Sequence, residues 1–109
     1  MNSTIAALNA LFDRIPRRHS LDNVKEINNI VAEFETQLIK IESINEFFEK
    51  NTAIFFEDLE NVRSLVKKST DNKASKKSKD NFFDEASGAL KDSFEALLKL
   101  CADGGKLNN

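Results

Sequence analysis

Few side chains in this 109-residue chain suit bond-making chemistry: there is one imidazole, His19, and one thiol, Cys101. General acid–base catalysis needs a positioned group that titrates near neutrality. His19 instead falls in Arg17-Arg18-His19-Ser20, with Asp22 three residues on, which reads as a basic, solvent-exposed turn. The same four residues have the form of a basophilic kinase site, but Ser20 reads first as a helix N-cap. Cys101 follows the apolar rhythm of its segment, where a thiol behaves as a small buried hydrophobe. One His and one Cys cannot complete a Cys/His zinc site, and a single Cys forms no intrachain disulfide. A carboxylate-bridged di-metal bundle needs inward Glu-x-x-His pairs, and the chain has none. The expectation is a protein that is not an enzyme and carries no cofactor or metal, in a reducing, cytoplasmic setting.

Charged residues carry the clearer polar signal. Net charge is −2 overall. By segment, residues 1–20 sum to +2, 21–66 to −6, 67–79 to +5 and 80–109 to −3. The basic segment holds Lys67, Lys68, Lys73, Lys76, Lys77 and Lys79, a cluster able to meet phosphates by counterion release, but no aromatic interleaves with it for base stacking. Its first reading is a solubilising loop; nucleic-acid contact, with Arg14, Arg17 and Arg18 assisting, is the second. Glu35, Glu42 and Glu49 recur every seven residues and read as a solvated acidic face, or as a contact surface for a basic partner.

Three Phe-Phe doublets, Phe47-Phe48, Phe55-Phe56 and Phe82-Phe83, supply most of the aromatic content, and the chain has no Tyr or Trp. Neighbouring side chains on a helix diverge by about 100°, so one narrow seam cannot cover both rings of a doublet. Phe48, Phe55 and Phe83 keep the helical register and are expected in the core. Phe47, Phe56 and Phe82 are the candidate partner-binding rings, with Glu42 and Glu49 as the orienting acids.

The elements that must position these groups are helical throughout. Ile5, Leu8, Leu11, Phe12 and Ile15 predict a short first helix from an N-cap at Ser3 to a stop at Pro16. Val24, Ile27, Val31, Phe34, Leu38 and Ile41 step by three and four and predict a long second helix after a cap at Ser20 or Asp22. That rhythm runs on through polar Asn45 and Thr52 to Val66, so one rod over residues 21–68 competes with a hairpin; the capping pair Asn51-Thr52 favours a turn near residue 50. Residues 69–80 read as a flexible Lys-rich loop. A last helix is expected from Asp80 or Asn81 through Phe83, Ala86, Leu90, Phe94, Leu97 and Cys101, stopped by Asp103-Gly104-Gly105, with residues 104–109 frayed. Gly88 inside it predicts a tight helix crossing.

The sequence therefore predicts one all-α domain over residues 1–109, a small antiparallel bundle of three long helices and a short N-terminal one. No apolar run reaches the ~20 residues of a membrane span. The expected function is a protein–protein interaction module of adaptor, chaperone, inhibitor or immunity type, its partner being another protein or a second copy. The alternative is a nucleic-acid-associated accessory protein working through Lys67 to Lys79.

Overall fold

The computed structural model describes residues 1–107. The helices are α1 (Asn2–Asp13), α2 (Leu21–Glu42), α3 (Glu46–Asn51), α4 (Ala53–Lys68) and α5 (Lys76–Leu107), and no strand occurs among the described residues. The bundle is all-α, as expected.

Local chemistry explains most boundaries. Ser20 is the N-cap of α2: its backbone is extended and its Oγ accepts from the Asn23 N–H at 3.0 Å. Ser3 caps nothing, because α1 starts a residue before it, at Asn2 behind Met1. Between α2 and α4 the chain turns earlier than expected. Asn45, which looked like a polar seam position, is an extended N-cap whose Oδ1 accepts from the Phe48 N–H at 3.0 Å, so the break falls at residues 43–45. At residue 52 there is only a kink. Thr52 is fully buried, makes no side-chain cap, and donates its hydroxyl to the Phe48 carbonyl at 2.8 Å. Residues 21–68 therefore form a hairpin with a one-and-a-half-turn helix at its bend, and Arg63 of α4 meets Glu35 of α2 at 3.2 Å.

The last helix is longer than expected at both ends. Ser75 Oγ accepts from the Ser78 N–H at 3.1 Å, which starts α5 at Lys76 and draws Lys76, Lys77 and Lys79 out of the predicted loop. Asp103-Gly104-Gly105 does not stop it: α5 runs to Leu107, and residues 108 and 109, expected to be frayed, lie outside the described residues. Gly104 has a packing role instead, since a Cβ there would overlap the Phe48 ring. Gly88 is exposed, with nothing within 4 Å of where its Cβ would stand, so the predicted crossing is absent.

Thirty-two residues make α5 about 48 Å long, close to the 51 Å length of the molecule. It runs antiparallel to α4, with Ser93 Oγ donating to Asp58 at 2.9 Å and Lys68 above the Phe82 ring. α1 and α4 each pack on both α2 and α5. Helix α1 lies along α2 from Glu26 to Gln37, and α4 flanks the same central stretch at Glu35. The two therefore share α2 from different faces. Phe94 sits at the centre, its ring 4.3 Å from that of Phe34 on α2 and 6.3 Å from that of Phe12 on α1. Every predicted core position of α5, Phe83, Ala86, Leu90, Phe94, Leu97 and Cys101, is fully buried.

Candidate functional site

Antiparallel packing sorts the chain into two chemically different ends. At one end lie the α1–α2 connection, the α4–α5 connection and the start of α5. His19 joins them. Its Nδ1 is 3.2 Å from Asp80 Oδ1, and since an ionised carboxylate only accepts, Nδ1 carries the proton. The imidazole lies against the Phe83 ring, centroids 5.4 Å apart, and its side chain is 18% exposed. His19 is thus a packed structural residue and not the open turn histidine expected from sequence. Ser87 Oγ donates to the Pro16 carbonyl at 2.8 Å, and Asn23 Nδ2 to the Arg18 carbonyl at 2.6 Å, so the connection is pinned at three points. Asp80 also accepts from Lys76 Nζ at 2.9 Å; that bond chiefly, with His19 assisting, holds its carboxyl below the usual range.

This clamp brings Arg17 and Arg18 beside Lys76, 58 residues away along the chain, to add to the six lysines of the predicted basic cluster. Segments 16–25 and 64–80 together hold nine Lys and Arg against three Asp. Elsewhere the arginines are neutralised. Arg14 reaches Glu26 at 2.8 Å and Glu33 at 3.0 Å, which raises its pKa further, and Arg63 reaches Glu35 and Glu60, both at 3.2 Å. Arg14 is therefore a structural tie and no member of the basic end.

At the other end lie the N-terminus of α1, the end of α2, α3, the start of α4 and the end of α5. The amino group of Met1 is near enough to Cys101 to oppose, weakly, the rise in thiol pKa that burial causes. Residues 39–60 carry six acids against two lysines. The exposed large apolar side chains Met1, Ile39, Ile44 and Ile54 belong here; Leu21, 81% exposed, is the exception at the basic end.

Of the predicted partner-binding residues, Phe47, Phe56, Glu42 and Glu49 share the acidic end, while Phe82 lies at the far end of α4 under Lys68. The three rings do not converge on one groove. All three are half-buried against the core, and Phe47 packs edge-on to Phe48 with centroids 5.2 Å apart. Sequence periodicity missed the aliphatics: Ile44 and Ile54 flank an uninterrupted seam, but the Asn45 cap and the Thr52 kink reset the phase and turn them outward, to 47% and 57% exposure. Asn45 as a cap was the available signal.

Among the described residues no group of three His, Cys, Asp or Glu side chains could hold a metal ion, and no helix is long and apolar enough to cross a membrane. Comparison with known proteins finds no matching family model, no matching curated protein and no matching solved structure.

Proposed function

We propose that this protein is a binding module whose acidic end docks a partner protein presenting a basic, apolar segment. One observation supports the reading: among the described residues, four of the five exposed large apolar side chains, Met1, Ile39, Ile44 and Ile54, lie toward the end where acids outnumber lysines six to two over residues 39–60. Isolated exposed aliphatics need no explanation, and it is their occurrence toward one end that supports reading this end as the docking surface. Glu42, Glu46, Glu49 and Glu57 around them supply orientation and on-rate for a cationic partner. Half-buried Phe47 and Phe56 back the surface, adding apolar area at its base. The emphasis thus moves from the second rings of the doublets to the aliphatics beside them.

The test is capture of partners from the native lysate by the tagged chain, comparing wild type with Ile39→Glu/Ile44→Glu/Ile54→Glu. The expected result is loss of the captured partner at unchanged thermal unfolding, because all three residues are exposed. A partner retained by this variant and lost on charge reversal at Lys67, Lys68 and Lys73 would overturn the reading.

A further inference from the structure

We infer that the basic end is a second binding surface, independent of the acidic one, that takes the phosphate backbone of duplex nucleic acid without reading base sequence. Its centre is an open depression of about 610 Å³ between the end of α4 and the connection to α5, lined by Lys67, Lys68 and Lys73 together with Ser64, Thr70 and Asn72. Ammonium groups flanked by hydroxyl and amide donors are the side chains that hold phosphate oxygens in register on a duplex.

Three features make these cations available. First, Lys67, Lys68, Lys73, Lys77, Lys79, Arg17 and Arg18 have no carboxylate within 4 Å among the described residues; of the basic-end lysines in residues 67–79, only Lys76 is paired, with Asp80. Second, Asp71, the acid lining the depression, is turned to the backbone, where its Oδ1 accepts from the Lys73 N–H at 2.9 Å. Third, the connection is built and not loose. Thr70, Asp71 and Ala74 donate their N–H groups to the carbonyls of Lys67, Lys68 and Asp71, and buried Ser69 donates its hydroxyl to Val66 at 2.6 Å. Lys68 is steadied 5.8 Å above the Phe82 ring, which accounts for the one partner-binding candidate that lies at this end.

The net charge of −2 does not oppose such binding. Asp84 and Glu85 at the start of α5 bring the acids of this end to five, Asp84 beside Arg17 and Arg18, yet segments 16–25 and 64–85 still hold nine Lys and Arg. The acids of residues 39–60 lie toward the other end of a 51 Å molecule, several Debye lengths away at ~8 Å each in physiological salt, so a local excess of cations remains at this tip. The choice of duplex follows from what is absent at the tip. Among the described residues no exposed aromatic stands there to stack an unpaired base; Phe82 is half-buried beneath Lys68. An anionic membrane fits less well, because Leu21 stands alone as an exposed apolar side chain at this end and Ala74 is the connection's one apolar residue.

The experiment is fluorescence anisotropy of a labelled 20-base-pair DNA of arbitrary sequence, titrated with the full chain at several salt concentrations. With four phosphates engaged, affinity should fall ~150-fold between 50 and 200 mM salt and be the same for an unrelated duplex. Lys67→Glu/Lys68→Glu/Lys73→Glu should abolish binding, whereas the charge-matched Lys40→Glu/Lys50→Glu/Lys99→Glu, made away from the tip, should leave most of it; circular dichroism confirms that both stay folded. Equal loss in the two variants, tighter binding to single strands, or binding confined to vesicles containing phosphatidylserine would each overturn the proposal. None of these outcomes bears on the acidic end, whose partner capture is measured separately.

Discussion

Two glycines of α5 carry opposite predictions because their surroundings are opposite. Gly88 is exposed in the middle of a helix with open space where a Cβ would go, so Gly88→Ala removes a backbone-entropy cost at no steric expense and should stabilise the fold by about 1 kcal/mol. Gly104 faces the fully buried Phe48 ring, which cannot swing clear. Gly104→Ala should therefore destabilise by about 1–3 kcal/mol despite the better helix propensity of alanine. Urea midpoints of the two variants, moving in opposite directions, check the pair. The sequence reading of these two residues, as a crossing and a helix stop, fails because what a glycine does depends on its spatial neighbours, and that of Gly104, Phe48, lies over fifty residues distant. Cys101 was legible from its register alone. Fully buried and with its thiol pKa pushed up by desolvation, it should react with a disulfide reagent at pH 8 far more slowly in the native protein than in urea, and sulfhydryl titration at the two conditions measures this.

At the scale of elements, apolar rhythm determined the helices and short polar side chains determined where they end. The six in-phase positions of α5 are all buried, and of the six in α2 only Val24 is not fully enclosed. Phase was legible because burial of one face is imposed along the whole length of a helix. The ends were less so: Asn45 and Ser75 are each a single hydrogen bond, and nothing in the periodicity distinguishes a seam asparagine from a capping one. Nor could the clamp at His19 be read, since it depends on how α5 slides against the α1–α2 connection. Its pH behaviour follows from Asp80. The carboxyl's pKa is depressed in the folded state, so the stability it contributes is present above the unfolded carboxylate range and is lost as pH falls through the folded value. Wild type should thus lose protection of the Arg14 and Ile15 amides, the hydrogen-bonded N–H groups at the start of this connection, on acidification below about pH 4. Asp80→Asn should show that loss already at pH 7, by hydrogen exchange, with α2 and α4 unaffected.

For the whole molecule, the question is whether two chemically distinct ends can behave as one folding unit. Extents of 51 × 22 × 17 Å and a Cα radius of gyration of 14.8 Å describe a body longer than a compact chain of this size, for which about 13 Å is expected. In so slender a bundle the acidic end, built on α3, and the basic end, built on the two connections, share few direct contacts. Helices α1, α2, α4 and α5 all run between the ends; α5 is the longest, and Phe94 is where it is tied to α1 through Phe12 and to α2 through Phe34. Removing that ring should therefore loosen both ends together. Phe94→Ala leaves a cavity at a fully buried site and should cost about 3–5 kcal/mol, a large share of the stability of a domain this size. Phe94→Leu is the milder variant should the first not fold. Urea unfolding followed by circular dichroism, with hydrogen exchange read separately at Phe48 and at Phe83, should give a single transition that moves to lower urea equally at the two positions. If protection at Phe83 fell while that at Phe48 held, the ends would be separate folding units, and α5 would be a strap laid across them and not the shared spine.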